Sequence, residues 1–225
     1  MHENRILFMT FEWTALKRFV RQEVSFPEGM PSVYLPWKKF QEKGYEVHIA
    51  MWGDFQNDSS FKFDKCHIHL LPLRHLFKKK VIGFLADKLR WLLDFFIVLT
   101  GASKLICQIG KPDIIYLYRP EMTPAAWLLA KFYSALLVQR VFGTWSYFNW
   151  YQNSDFKKKI SCLLEWIRWR WPSDLLVITN DGTNGEAVAK MLRIPSDRYI
   201  VWFNGVDKSW SSNSDQCQRL RCELN

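Results

Sequence analysis

Short apolar runs alternate with stretches of helical periodicity along most of the chain. Unbroken apolar runs are typical of strands buried on both faces of a parallel sheet. The predicted strands are 5–10, 47–51, 67–71, 113–118, 138–142, 175–178 and 199–203, and the predicted helices are 31–43, 81–100, 124–136, 156–171 and 185–192. Alternating strands and helices predict an α/β fold, a Rossmann-like, doubly wound and mainly parallel sheet with right-handed crossovers.

The most informative stretch is a predicted β-α-β unit near the end of the chain. The apolar run 175–178 ends in a polar Thr-Asn-Asp-Gly turn, and the run 199–203 ends in Asn-Gly-Val-Asp. Between them, Thr183 or Asn184 can cap the helix predicted for 185–192. Both runs therefore indicate parallel strands that end in loops where ligands bind.

The segment 81–100 is apolar enough to raise the question of a membrane span. It contains Asp87, Lys88, Arg90 and Asp94 near its middle, and burying four charges in hydrocarbon costs on the order of several kcal/mol. We therefore expect a surface helix rather than a span. Its predicted buried face consists of Leu85, Leu89, Leu92, Phe96 and Leu99.

Composition limits the class of protein and the class of partner. The chain has 225 residues, of which 48% are hydrophobic and 24% charged, so it can form one large domain with a substantial core. The net charge of +9 favours anionic partners. Five cysteines without Cys-x-x-Cys spacing indicate reduced thiols in a cytoplasmic protein and argue against zinc. We expect no signal peptide, because Arg5 leads directly into a strand.

Polar residues and glycines that follow the predicted strands, or that precede a helix, are the candidate binding residues. They are Gly29, Met30, Arg119, Glu121, Gly143, Thr144, Asn180, Gly182, Asn204, Gly205 and Asp207. Gly29 permits close approach of a ligand before a helix amino terminus, although it equally suits a tight turn. Arg119 can clamp a phosphate or a sugar, or can form an ion pair with Glu121.

Other chemistry finds less support in the sequence. His67 and His69 would share one strand face, but two histidines without a third ligand are more often structural. Gly182 and Gly185 do not complete a dinucleotide-binding motif. No nucleophile and base pattern is visible, so hydrolysis is not expected and the catalytic residues are not predicted.

Several segments in a fixed order carry a family resemblance. They are the strand and loop at 6–10, Gly-Met-Pro-Ser-x-Tyr-Leu-Pro-Trp at 29–37, Gly-Tyr-Glu-Val-His-Ile at 44–49, Lys-Pro-Asp-Ile-Ile-Tyr at 111–116, Val-Phe-Gly-Thr at 141–144 and Phe-Asn-Gly-Val-Asp at 203–207. The chain resembles the amino-terminal domain of glycosyltransferase family 4, retaining sugar transferases of GT-B architecture. It departs from similar enzymes in having a single Gly29 after Glu28, where members often carry two glycines. It also has Gly143-Thr144 where some members have a histidine.

The resemblance implies a division of labour between two Rossmann-like domains. The first holds the acceptor and the second holds the nucleotide-sugar donor. Residues 1–207 would form the acceptor domain, and 208–225 an interdomain linker or a truncated tail. The resemblance therefore implies an acceptor half that is inactive alone, without a cofactor of its own, and that belongs to a fragment or to a split enzyme with a donor-domain polypeptide. The acceptor would be a saccharide or a lipid-linked saccharide.

Basic and aromatic clusters suggest where in the cell the protein is located. Lys78, Lys79 and Lys80 precede the helix at 81–100, and Trp166, Trp169 and Trp171 interleave with Arg168 and Arg170. Such residues suit an anionic membrane surface, which predicts a cytoplasmic protein at the inner membrane face, although the tryptophans equally suit a core. A noncatalytic sugar- or lipid-binding module is the alternative function. A nucleic-acid-binding domain ranks third because no recognition motif is present, so no nucleic acid partner is expected.

Overall fold

The fold is an eight-stranded sheet flanked by helices. The computed structural model describes residues 4–12, 14–21, 31–73, 84–142, 171–180 and 185–203. The strands are β1 Arg5–Phe11, β2 Glu46–Gly53, β3 Ser59–Phe63, β4 Cys66–Pro72, β5 Ile114–Leu117, β6 Leu136–Phe142, β7 Leu175–Asn180 and β8 Tyr199–Phe203. Their order is β3-β4-β2-β1-β5-β6-β7-β8, and every neighbouring pair is parallel except β3 with β4. The predicted α/β, mainly parallel sheet is confirmed.

Five helices are described, most of them close to their predicted positions. They are α1 Thr14–Val20, α2 Pro31–Glu42, α3 Phe84–Ile109, α4 Thr123–Tyr133 and α5 Gly185–Met191, with short 3₁₀ turns at Pro120–Met122 and Ser196–Arg198. The predicted helix at 156–171 lies outside the described residues. As predicted, α2 ends at a glycine: Gly44 has a φ of +83° and its N–H donates to the carbonyl of Gln41 at 2.9 Å.

Helix α1 and the antiparallel strand β3 were not predicted from the sequence. The segment Ser59–Phe63 is an edge strand whose side chains are mostly exposed, so it lacks the apolar run that marked the other strands. It forms a hairpin with β4 through a turn in which Asp64 has a φ of 55°. The hairpin extends the sheet by one strand on the β2 side.

Each face of the sheet carries its own core. On one face, Leu7, Met9 and Ile115 pack with residues of α3 and α4. On the other face, Phe8 and Ile49 pack with residues of α1 and α2. A third cluster joins β6 and β7 to α5. Because both faces are covered, the strands read as continuous apolar runs, and this is why the sequence predicted them well.

The prediction for α3 was wrong about its length and about Leu92 and Phe96, whereas Leu99 packs against the core as predicted. The helix runs to Ile109, and Leu92 and Phe96 of the predicted buried face are 44% and 51% exposed. The residues that pack on the sheet are Val98, Ala102, Leu105 and Ile106. Gly101 allows this approach, since a Cβ placed there would lie 3.2 Å from Nε1 of Trp52. The sheet-facing side of α3 therefore combines two small residues, Gly101 and Ala102, with the aliphatic residues Val98, Leu105 and Ile106.

The carboxyl-terminal part of α3 is also the one described segment that meets a length and composition test for membrane spans. Residues Leu92–Ile109 are long and apolar enough to cross a membrane by those two criteria. In the structure this segment lies in the crossover helix between β4 and β5, with one side in the core. Core helices pass the same test, so the segment alone does not indicate a span.

Candidate functional site

The strand order places a topological switch point between β1 and β5. The chain passes from β1 to β2, β3 and β4 on one side, and then returns to the other side of β1 as β5. Loops that follow β1 and β5 therefore diverge, and a crevice opens between their carboxyl ends. In open α/β sheets this crevice is the general location of ligand sites.

A cavity of about 450 Å³ occupies this position. We call it the switch-point cavity; it is lined by Phe11, Glu12, Trp52, Gly53, Asp54, Leu73, Asp94, Arg119 and Glu121. These residues come from the ends of β1, β2, β4 and β5 and from the side of α3. Its volume falls within the range of small-molecule sites, about 300–1,000 Å³.

Arg119 follows the carboxyl end of β5, and the residues on either side of it in the sequence hold its backbone in place. Tyr118 is fully buried, its N–H donates to the carbonyl of Met9 at 3.1 Å, and its hydroxyl donates to the carbonyl of Val33 at 2.7 Å. The 3₁₀ turn that follows is closed by the N–H of Met122, which donates to the carbonyl of Arg119 at 3.0 Å. The backbone that carries Arg119 is therefore fixed from both sides.

The side chain of Arg119 lies between an acidic group and an aromatic ring. Its Nε is 3.5 Å from a carboxylate oxygen of Glu121, and its guanidinium carbon is 6.0 Å from the centre of the Phe11 ring. Both charged side chains remain about one-third exposed, so solvent screens the pair. The guanidinium can donate to the hydroxyls of a ligand, and the carboxylate beside it can accept from hydroxyls of the same ligand.

Acidic groups outnumber basic ones in the cavity. Among the described residues, Glu12, Asp54, Asp94 and Glu121 line it together with a single cation, Arg119. Lys17 approaches Glu12 from α1, with its Nζ 3.7 Å from the carboxylate. The described lining therefore carries an excess of negative charge, which disfavours an anionic ligand and leaves many acceptors for hydroxyl groups.

Gly53 forms part of one wall of the cavity. Because it has no side chain, the end of β2 can lie close to Glu12 and Phe55. A Cβ at Gly53 would lie 2.8 Å from Cβ of Glu12 and 2.8 Å from the ring of Phe55. The carbonyl of Gly53 accepts the N–H groups of Phe55 at 2.9 Å and Leu73 at 2.7 Å. Only a glycine therefore fits between the ends of β1 and β4 in this arrangement.

Arg140 of β6 lies on the face of the sheet that packs against α1 and α2. It is buried, its Nε donates to the hydroxyl of Thr179 at 3.0 Å, and an Nη donates to the carbonyl of Ser32 at 2.7 Å. Its guanidinium lies 5.1 Å from the centre of the Phe142 ring. Burial raises the pKa of the neighbouring Tyr116 hydroxyl, while Arg140 acts in the opposite direction. Arg140 therefore joins β6, β7 and the start of α2.

The structure brings together two of the predicted site residues. Arg119 and Glu121 line the switch-point cavity, while Asn180 ends β7, three positions from β1 in the sheet, and does not line it. Gly29, Met30, Gly143, Thr144, Gly182, Asn204, Gly205 and Asp207 lie outside the described residues. Roles in binding remain predictions for all of them.

Seven residues of the cavity were not predicted from the sequence: Phe11, Glu12, Trp52, Gly53, Asp54, Leu73 and Asp94. Three of them, Glu12, Gly53 and Asp54, are polar residues or a glycine at or directly after the ends of β1 and β2, so the rule that selected Arg119 could also have selected them. Asp94 belongs to α3 and reaches the cavity through the packing of that helix. Nothing in the local sequence marks it.

The histidine pair of β4 gains a third member, His48 of β2. Nδ1 of His48 lies 3.1 Å from Nε2 of His69, and the His48 ring stacks on those of His67 and His69. Burial is the main cause that lowers the pKa of both His48 and His69 to about 4. Within the described ranges, no group of three or more His, Cys, Asp or Glu side chains could hold a metal ion.

The basic and aromatic clusters are described only in part. Trp171 packs edge-on against Trp127, with ring centres 6.1 Å apart, and is half-buried. This contact fits a packing role for Trp171. Lys78, Lys79, Lys80, Trp166, Arg168, Trp169 and Arg170 lie outside the described residues.

Comparison with known proteins identifies the architecture. No protein-family model and no curated protein matches the sequence. Among solved structures, sucrose-phosphate synthase from Thermosynechococcus elongatus is similar, with a TM-score of 0.60 and 12% identity over 97% of this chain and 52% of that chain. Trehalose-6-phosphate synthase from E. coli, bound with UDP-2-fluoro glucose, has a TM-score of 0.54 and 13% identity over 98% of this chain and 54% of that one.

A third similar structure is HepE from Anabaena in complex with UDP. It has a TM-score of 0.51 and 14% identity over 98% of this chain and 50% of its own. The chain thus spans about half the length of these solved structures. It has the α/β, Rossmann-like fold of one half of a GT-B glycosyltransferase.

Proposed function

We propose that this chain is the acceptor-side domain of a retaining glycosyltransferase of family 4, which moves a sugar from a nucleotide-sugar to a saccharide or lipid-linked acceptor. The observation that carries the proposal is the switch-point cavity, which lies at the crevice of a GT-B half-domain sheet and contains the Arg119–Glu121 pair. The family motifs at 29–37 and 203–207 support the same assignment.

The charges of the cavity favour the hydroxyl groups of a sugar over a phosphate. A phosphate next to Arg119 would also lie in a cavity lined by Glu12, Asp54, Asp94 and Glu121, and like charges repel. Sugar hydroxyls can donate to these carboxylates and accept from Arg119, and such charge-assisted bonds contribute about 1.5–3 kcal/mol each. We therefore assign the cavity to an uncharged saccharide portion of the acceptor.

The donor half of the reaction is assigned to groups beyond residues 1–207, in a second domain or a second polypeptide. Two of the similar structures contain UDP or a UDP-sugar, and each of those chains is about twice as long as the part matched here. Transfer requires stabilisation of the leaving diphosphate by preorganised donors or cations. The switch-point cavity, with one arginine among four carboxylates, is unsuited to that task.

We also propose that the protein binds peripherally to the cytoplasmic face of an anionic membrane. Its support is the net charge of +9 together with the exposed apolar side chains of Leu92 and Phe96 on α3. Exposed apolar residues on a helix can enter the headgroup boundary, and basic residues add attraction to anionic lipid. A lipid-linked acceptor would be presented at such a surface.

Sugar transfer measured with and without a donor domain tests the proposal. The purified chain is incubated with a labelled UDP-sugar and neutral saccharides, alone and together with a separately produced donor-domain polypeptide of this family. We expect transfer only in the combined sample. Robust transfer by the chain alone would contradict the division of labour. Saccharide binding without transfer in any combination would favour the noncatalytic module.

A further inference from the structure

A second cavity lies between the β3–β4 hairpin and the carboxyl-terminal half of α3. Its volume is about 380 Å³, and we call it the hairpin groove. Its polar lining includes Ser59, Ser60, His69, Thr100, Lys104 and Gln108. The groove shares Trp52 with the switch-point cavity, but it contains neither Arg119 nor Glu121. It is thus a separate concave surface with its own set of donors and acceptors.

A chain of partly buried polar contacts leads to His69 from the first residues of β1 and β2. Nε of Arg5 donates to one oxygen of Glu46 at 2.7 Å, and the other oxygen of Glu46 lies 3.1 Å from Nε2 of His48. Nδ1 of His48 lies 3.1 Å from Nε2 of His69. The chain therefore runs Arg5, Glu46, His48, His69 and ends at a residue that lines the groove.

Burial and pairing set the charges of these groups. Although burial opposes ionisation of Glu46, the hydrogen bond from Arg5 lowers the pKa of its carboxyl, so Glu46 only accepts. Nε2 of His48 is buried and lies 3.1 Å from Glu46 without forming a hydrogen bond to a described residue. Because burial lowers the pKa of His48 to about 4, its ring is neutral at pH 7.

Nε2 of His69 lies 3.1 Å from Nδ1 of His48, so Nδ1 of His69 is the ring nitrogen left for a ligand. Burial and the nearby His67 lower the pKa of His69 to about 4, so this ring is also neutral at pH 7. When His69 donates to His48 from Nε2, its Nδ1 carries a lone pair that can accept from a hydroxyl. The groove thus contains an uncharged imidazole whose Nε2 is occupied by a second histidine.

The remaining charges of the groove cancel. Nζ of Lys104 lies 2.7 Å from a carboxylate oxygen of Asp58, and both belong to the lining. The hydroxyl of Thr100 donates to the carbonyl of Phe96 at 2.7 Å, which leaves its lone pairs available to a ligand. Donors on Lys104 and Gln108 and acceptors on His69 and Thr100 match a ligand with several hydroxyls and no net charge.

We infer that the hairpin groove is a binding site for a neutral, polyhydroxylated small molecule the size of a mono- or disaccharide, with His69 as a hydroxyl acceptor and Lys104 as a donor. This site is distinct from the proposed acceptor site at the switch point. Its occupation does not require sugar transfer.

Side-chain NMR of the histidines in the full chain tests the inference. The labelled protein is titrated with glucose and maltose, and separately with inorganic phosphate. We expect the sugars to shift the Nδ1 resonance of His69, and phosphate to leave it unchanged at constant pH. Sugar titrations that leave the His69 and Lys104 resonances unmoved would overturn the inference, as would a preference for phosphate.

Two variants locate the binding. His69→Phe keeps a ring against His48 but removes the acceptor, and Lys104→Met removes an exposed donor with little risk to folding. Each should weaken sugar binding about tenfold, the loss of roughly 1.4 kcal/mol expected for one hydrogen bond. Arg119→Gln is the control, since it alters only the switch-point cavity, and groove binding should persist. If Lys104→Met and a folded His69→Phe variant bind the sugars with the affinity of the parent protein, the inference is also overturned.

Discussion

Nε of Arg119 lies 3.5 Å from the carboxylate of Glu121, immediately beyond the end of β5 and beside the topological switch point. The pair is partly exposed, and exposed pairs contribute about 0–1 kcal/mol to folding. The placement of two opposite charges at a ligand crevice is therefore better explained by binding than by stability.

Arg119→Gln should weaken use of the acceptor while leaving the fold intact. Loss of a charge-assisted hydrogen bond predicts an increase of about tenfold in the acceptor KM of an active, assembled enzyme, with an unchanged thermal midpoint. Lys39→Gln is a matched control, because it removes an exposed cation paired with Glu42 on α2, away from the cavity. Unchanged acceptor kinetics in Arg119→Gln would exclude the proposed role.

Gly53→Ala should both destabilise the protein and distort the cavity. Its Cβ would meet Glu12 and Phe55 at 2.8 Å, and overpacking of this kind costs about 1–3 kcal/mol. Gly44→Ala provides the comparison: it has no neighbour within 4 Å but a φ of +83°, so it should destabilise through the backbone alone. Urea unfolding and saccharide binding are measured for both. Saccharide affinity that falls equally in the two variants would argue against a local effect of Gly53.

Arg140→Met should reduce stability by about 1–3 kcal/mol, because it removes the donors to Thr179 and to the carbonyl of Ser32 in a buried region. Arg140→Lys should recover only part of the loss, since one ammonium cannot reproduce the planar fork. Urea unfolding measures both, with Lys38→Met as an exposed control on α2. Equal stabilities of the parent and Arg140→Met would show that these contacts contribute nothing.

The buried histidines predict that stability falls as the pH is lowered from 6.5 towards 4.5. Burial keeps His48 and His69 neutral to a pKa of about 4, while the unfolded chain binds protons near 6.5. Each histidine therefore contributes a slope of about 1.4 kcal/mol per pH unit in this window. The lowered pKa of the Glu46 carboxyl adds a loss only below its ordinary value of 4.5.

The double variant His48→Gln, His69→Gln isolates this slope. The unfolding free energy of the variant should depend less steeply on pH between 4.5 and 6.5, whatever its stability at pH 7. Denaturant unfolding at several pH values gives both slopes. Identical slopes for the parent and the variant would show that these two rings do not titrate as their burial requires.

Vesicle sedimentation tests the proposed membrane surface. The parent should bind anionic vesicles more than neutral ones and dissociate as salt is added. Replacing Leu92 and Phe96 by serine should weaken binding, because these side chains are exposed on α3. The same change at Leu128 and Phe132, which are exposed on α4, is the matched control. If the fraction of protein that sediments with vesicles depends on neither lipid charge nor salt, the proposal is contradicted.

The sequence predicted the sheet because burial on both faces gives each parallel strand a continuous apolar run, as in Ile6–Met9. It missed β3, whose polar edge-strand sequence has no such signal. The sequence also could not predict which side of α3 is buried. Apolar residues occur around that helix, and the choice between sides depends on how closely Gly101 approaches Trp52.

For the candidate site, position relative to a strand end was sufficient to find Arg119 and Glu121, and it applied equally to Glu12 and Asp54. It could not find Asp94, which reaches the cavity from another layer of the fold. The alignment of His48 with His67 and His69 likewise depends on the register of β2 with β4, which no local pattern reveals. Charge balance within each cavity emerges only when these separate segments are brought together.

Binding of a neutral saccharide in the switch-point cavity is tested by an NMR titration of the arginine Nε–H resonances in the full chain. Neutral oligosaccharides and the same oligosaccharides carrying a phosphate are compared. We expect the neutral forms to shift the Arg119 resonance and the amides of Phe11 and Glu12, and the phosphorylated forms to bind more weakly. Neutral saccharides that leave Arg119, Phe11 and Glu12 unchanged, or phosphorylated forms that bind more tightly, would contradict this expectation.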